Sequence, residues 1–155
     1  MACASVGAFA QGKLTLDDIN IRDPFIVPVV EEGVYYMYSS SSVKENGAVY
    51  GGVMAYKSKD LKHWDAPVRV FDVPRDNWIT GTVWAPEVHK YKGKYYLFGT
   101  LNSDILWKAT EKGHPAYSHR ATQIFWSKKP EGPFLPFESK HPHTPLGEMC
   151  LDGTL

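Results

Sequence analysis

At 155 residues the chain is long enough to bury a core, and its 17 Lys and Arg against 17 Asp and Glu leave no net charge. The two signs are interspersed rather than blocked, which excludes the electrostatic footprint of a nucleic-acid binder or an anionic-membrane binder. No apolar stretch is long enough to span a bilayer, and the two cysteines, Cys3 and Cys150, have no spacing that marks a zinc site or a disulfide framework.

The opening residues 1–11 are dominated by small side chains, and Ala8-Phe9-Ala10 has the A-x-A form of a signal-peptidase site. We read them as the tail of a signal peptide, which predicts a secreted or periplasmic protein. A strand-sized segment follows at Ile21-Arg22-Asp23-Pro24-Phe25-Ile26. A Gly-bearing turn then leads into the aromatic strand Val34-Tyr35-Tyr36-Met37-Tyr38. Residues 51–56 read as a further strand, and Ser58 to Trp64 as a turn with a Trp-bearing corner.

The same order then recurs. Val83-Trp84-Ala85-Pro86-Glu87-Val88 matches the first segment, and Gly93-Lys94-Tyr95-Tyr96-Leu97-Phe98 matches the aromatic strand. Residues 122–126 form the matching later strand, and residues 127–134, with Gly132-Pro133-Phe134, the matching turn. Pro24 and Pro86 lie 62 positions apart, and Gly33 and Gly93 lie 60 apart, so the register holds over two strands. The stretch from Asn102 to Arg120, with Gly113 and Pro115, reads as an insertion loop on the substrate side. His141-Pro142-His143 brings two imidazoles together without a third metal ligand in view, and reads as a solvated linker. A third copy of the first segment begins at Leu151-Asp152-Gly153-Thr154-Leu155.

A repeat of several short strands per unit, with almost no helix, predicts propeller blades rather than a helical solenoid. The chain is expected to supply two blades and the first strand of a third. In register, Asp23 corresponds to Ala85 and Asp152, and Phe25 corresponds to Glu87. Because the first strand of each blade lines the central channel, Asp23 and Asp152 are expected to project toward one axial space. Two carboxylates there are a start on glycosidic acid–base chemistry, in which one group activates water and another protonates the leaving oxygen. By the period-2 rule Glu87 is expected on the face of Ala85. A flat, exposed ring such as Trp84 suits the C–H face of a sugar.

Together, Arg22-Asp23-Pro24, the Trp84-Ala85-Pro86-Glu87 box, the Gly93 to Leu97 strand, the Asp60-Leu61 to Trp64 and Gly132-Pro133-Phe134 corners and Leu151 to Leu155 resemble glycoside hydrolase family 43. The resemblance covers essentially everything after Gln11, and makes residues 12–155 the N-terminal part of a β-propeller catalytic domain. It implies an all-β, five-bladed β-propeller that hydrolyses arabinose- or xylose-containing plant polysaccharides with inversion at the anomeric carbon. It also implies three acidic residues. Asp23 matches the general base, and Asp152 matches the Asp that orients the acid and raises its pKa. The position of the general acid, a Glu, falls beyond Leu155, so the chain by itself is expected to be inactive and to self-associate through uncapped blade edges. Trp84, Phe25 and Glu87 are the expected sugar contacts. No organic cofactor is implied; calcium is expected only in the complete protein, and no calcium ligand is assigned here. The alternative is a non-catalytic propeller that serves as a carbohydrate-binding or protein-interaction module, distinguished by the lack of that later Glu.

Overall fold

The computed structural model describes residues 13–106, 118–137, 140–145 and 148–155. Eight strands occur among them: β1 (Phe25–Val29), β2 (Val34–Glu45), β3 (Ala48–Ser58), β4 (Val68–Asp72), β5 (Val83–Tyr91), β6 (Lys94–Leu106), β7 (Ser118–Ser127) and β8 (Leu135–Pro136). Two short 3₁₀ turns, Leu16–Asp18 and Val30–Glu32, are the only helical segments among the described residues. The strands form two four-stranded antiparallel sheets in the orders β1-β2-β3-β4 and β5-β6-β7-β8. Each sheet is one blade, and the repeat seen in sequence is the blade.

Turn chemistry sets the registers. Asn46-Gly47 joins β2 to β3 with φ 48° and 84°, and Lys92-Gly93 joins β5 to β6 with φ 45° and 75°. Left-handed backbone at both central residues matches the twist of the flanking strands, which is why glycine occupies the second position. At the end of the third strand in each blade a serine hydroxyl organises the next turn. Ser58 Oγ accepts from the Leu61 N–H at 2.9 Å, and Ser127 Oγ accepts from the Lys129 N–H at 3.1 Å.

The core lies between the two blades. Side chains alternate along β1, with Val27 and Val29 buried and Ile26 and Pro28 exposed, so one face of blade 1 turns toward blade 2. Tyr36, Val53 and Val70 from blade 1 join Val83, Leu97 and Leu101 from blade 2 in one buried cluster. Phe71 and Phe125 meet across it with ring centroids 4.1 Å apart. Full burial of such side chains contributes roughly 1.5–3 kcal/mol each. The turn after β7 reaches back beneath blade 1: the Tyr38 hydroxyl donates to Pro130 O at 2.8 Å, and the Phe134 N–H to Val70 O at 2.9 Å.

Several sequence expectations change in extent. The strand read over residues 51–56 runs from Ala48 to Ser58, and that read over 122–126 runs from Ser118 to Ser127, because hairpin pairing carries each beyond its apolar stretch. The expected insertion from Asn102 to Arg120 begins and ends as strand: Asn102 pairs with Arg120 and Leu106 with Ser118, while residues 107–117 lie outside the described residues. The signal-peptide reading and Cys3 also fall outside them, and Cys150 is a free thiol. His143 lies exposed in irregular backbone, as expected of a solvated linker, and that linker runs along β7: its N–H donates to Thr122 O and its Nδ1 accepts from the Ile124 N–H, each at 3.0 Å. Among the described residues no helix is long and apolar enough to cross a membrane.

Candidate active site

Where β1 begins, the chain turns through Asp23 with φ 50°. The equivalent residues of the other two repeats do the same, Ala85 at φ 38° and Asp152 at φ 49°. Left-handed backbone is costly for most L-residues and tolerated by Asp, whose short polar side chain suits it. Three aligned positions therefore share one unusual backbone state. The first and third are the carboxylates singled out from the repeat.

Asp23 opens into a cavity of about 310 Å³ between the blades, lined by Arg22, Asp23, residues 40–42 of β2 and residues 82–84 at the head of β5. Its carboxylate is 58% exposed, with Arg22 Nε 3.4 Å away. An ion pair this open to solvent is worth little, so Asp23 stays available to water or a ligand in the cavity. Trp84 forms part of the opposite wall and is itself exposed. The Arg120 guanidinium covers its ring at 4.4 Å, and Asn102 Oδ1 accepts from Arg120 Nε at 2.7 Å, which holds that cover in place.

The face assigned to Glu87 needs correction. Trp84 pairs with Thr100 and Glu87 with Phe98, so three steps along β5 match two along β6. The extra residue is a β-bulge at Ala85-Pro86, where the left-handed backbone of Ala85 breaks the alternation. Glu87 consequently falls in register with Trp84 rather than with Ala85. Its Oε2 lies 3.0 Å from His89 Nε2. Phe25 meets the same imidazole with ring centroids 5.2 Å apart. Phe25 and Glu87 are therefore brought together at His89, and neither is among the described residues lining the Asp23 cavity.

Asp152 is reached along a single row of the sheet. Thr100 pairs with Trp84 on one side and with Thr122 on the other. The Asp152 N–H donates to Thr100 Oγ1 at 2.9 Å, and the Gly153 N–H to Thr122 Oγ1 at 3.2 Å. Neighbouring strands lie about 4.8 Å apart, so Asp152 is seated beside the strand that carries Trp84, which in turn walls the Asp23 cavity. Thr154 Oγ1 lies 3.3 Å from His89 Nε2 and continues the segment toward β5. Sequence reasoning missed residues 40–42, Thr100 and Thr122. A run of four serines on an otherwise apolar strand was the available signal for the first; the threonines, placed in a strand that favours them anyway, carried none. Among the described residues no three His, Cys, Asp or Glu side chains converge to hold a metal ion.

Two four-stranded blades, with a carboxylate just before the first strand that opens into a cavity between them, define part of a β-propeller. Comparison with known proteins makes this more specific. The model of glycosyl hydrolases family 43 matches residues 18–155, and the chain belongs to that family. It is part of a five-bladed propeller. An endo-arabinase from Bacteroides thetaiotaomicron VPI-5482 is 32% identical with a TM-score of 0.71; the match covers 93% of this chain and 43% of that one. A thermostable family-43 glycoside hydrolase is 25% identical with a TM-score of 0.56, over 76% of this chain and 32% of the other. A GH43_1 enzyme from Xanthomonas citri, solved with xylose, is 19% identical with a TM-score of 0.54, over 84% and 35% of the two chains, and shows the fold alone. The chain thus spans less than half the length of these solved structures. No curated protein matches it.

Proposed function

We propose that these blades form part of the active site of an inverting glycosidase that cleaves arabinofuranosyl or xylosyl linkages in plant cell-wall polysaccharides or their oligosaccharides. The observation that carries this reading is Asp23, held in left-handed backbone at the mouth of the inner strand and exposed to a cavity walled by Trp84. An exposed carboxylate in such a cavity takes a proton from water positioned on the sugar face opposite the leaving group. The ring of Trp84, backed on one face by the Arg120 guanidinium and still exposed, offers an apolar platform for the sugar's C–H face.

A Glu from a later blade protonates the departing oxygen. Inversion requires room for the attacking water, so this Glu and Asp23 stand roughly 6.5–9.5 Å apart in the assembled ring. Asp152 lies near that acid, and its negative charge raises the acid's pKa and keeps it protonated. The 155-residue chain, lacking the acid, is inactive by itself. The likeness to an endo-arabinase supports arabinan as the polymer. A polymeric substrate, together with the Ala8-Phe9-Ala10 segment, supports a secreted or periplasmic enzyme.

The test is hydrolysis of nitrophenyl α-L-arabinofuranoside, nitrophenyl β-D-xyloside and linear arabinan by the five-bladed gene product, beside its Asp23→Asn variant and beside the 155-residue chain. Turnover is expected in the five-bladed protein alone, with kcat reduced roughly 10²–10⁴-fold in Asp23→Asn, the usual worth of a general base. The configuration of the first-formed sugar, read by NMR, reports inversion. Sugar binding without turnover in every protein would overturn hydrolysis and leave a binding module.

A further inference from the structure

Asp152 has left-handed backbone, an exposed side chain and no side-chain hydrogen bond among those described, so something other than its carboxylate must place it. The structure assigns that task to blade 2. We infer that Thr100 is a positioning residue for Asp152, with Thr122 as its second anchor; the inference rests on the reading of Asp152 given above.

Thr100 is 1% exposed and Thr122 is 3% exposed. Each hydroxyl, buried on the face of blade 2 that carries Trp84, accepts one backbone N–H from the incoming segment, Asp152 at 2.9 Å and Gly153 at 3.2 Å. A buried hydroxyl that loses its partner, or a buried N–H that loses its acceptor, carries a desolvation cost, so the two pairs favour a single seating of the segment. Close approach enforces it further. A Cβ on Gly153 would lie 2.5 Å from Thr122 Cγ2, so only glycine brings the backbone this near to β7. Register completes the argument: Thr100 stands directly between Trp84 and Thr122, and the hydroxyl that holds Asp152 belongs to the strand paired with the wall of the Asp23 cavity. Among the described residues, the titratable and charged groups near the segment are Glu87 and His89 on β5, Arg120 on β7, His143 against Thr122, and Cys150 two residues before Asp152. None of them takes over the contact to the Asp152 N–H.

A displaced Asp152 no longer raises the pKa of the acid. The acid then loses its proton at lower pH, and the alkaline limb of the kcat/KM profile moves down. The experiment compares that profile for the five-bladed enzyme with those of Thr100→Val, Thr100→Ser, Thr122→Val and Asp152→Asn. Thr100→Val is expected to lower the limb by roughly one pH unit, in the same direction as Asp152→Asn. It is also expected to reduce kcat/KM on the order of tenfold to a hundredfold, as a misplaced site group does. Thr100→Ser keeps the acceptor and is expected to retain the parental limb. Merely structural damage by Thr100→Val would lower the melting temperature without moving the limb.

A parental limb in Thr100→Val, with a shifted limb in Asp152→Asn, would overturn the inference and leave the role of Asp152 standing. Parental limbs in both would overturn the two together. If Thr100→Val does not fold, Thr122→Val decides: a limb lowered in the same direction supports the anchoring, and a parental limb overturns it.

Discussion

Asn77 and Gln123 are paired amide to amide: Asn77 Nδ2 donates to Gln123 Oε1 at 3.0 Å, and Gln123 Nε2 donates to Asn77 Oδ1 at 3.2 Å. Trp78 Nε1 adds a third bond to the same Oε1 at 2.8 Å. Gln123 is fully buried on β7, so the segment between the blades is tied to the middle of blade 2 by a polar cluster whose inner end is shielded from water.

Replacing Gln123 by Leu keeps the volume and leaves Asn77 and the Trp78 N–H without these partners. Each orphaned buried group costs about 1–3 kcal/mol, so the Gln123→Leu variant is expected to lose about 3 kcal/mol in urea denaturation. A loss below about 0.5 kcal/mol, the range of ordinary surface substitutions, would show that water reaches the cluster.

The Tyr36 hydroxyl donates to the Glu131 carboxylate where the turn after β7 meets blade 1, and Lys57 Nζ stands 3.6 Å from the same carboxylate. Burial pushes Glu131 up, but the Tyr36 hydroxyl and the Lys57 ammonium more than reverse this and leave its carboxyl below the usual range. Burial, followed by the Glu131 bond, pushes Tyr36 up to about 12. A depressed carboxyl contributes stability that is present above its unfolded pKa and lost as pH falls through the folded one. A raised phenol contributes stability that is present below its unfolded pKa of about 10 and lost as pH climbs toward the folded value. Stability measured against pH is therefore expected to fall at both ends, below about pH 4.3 and above about pH 10. Tyr36→Phe should flatten both flanks; unchanged flanks would assign the pH dependence to other groups.

Ala85 occupies left-handed backbone at φ 38° without the polar side chain that lets Asp23 and Asp152 tolerate it. Glycine there relieves a steric cost of about 1–2 kcal/mol against a smaller loss from the more flexible unfolded chain. Ala85→Gly is expected to stabilise the chain by about 0.5–1 kcal/mol, read as a rise in the denaturation midpoint at constant slope. A lower midpoint would mean that packing of the Ala85 methyl outweighs its backbone strain.

The repeat, the glycine turns before the two aromatic strands and the matched positions of the two aspartates were legible in the sequence because each depends on local backbone preference. Similar short stretches take similar dihedral angles, and Asp23, Ala85 and Asp152 align in sequence and share positive φ in the structure. Tertiary structure alone decided which faces meet. The bulge at Ala85 places Glu87 in register with Trp84 and beside His89, although simple alternation put it elsewhere. The seat of Asp152 depends on Thr100, which is 52 positions earlier in the chain, and the clamp beneath the blades joins Tyr36 to Glu131 across 95. Such pairs leave no local trace, because a threonine on a strand or a glutamate in a turn satisfies the same local rules whatever it later touches. Its partner is chosen only when the sheets twist and pack.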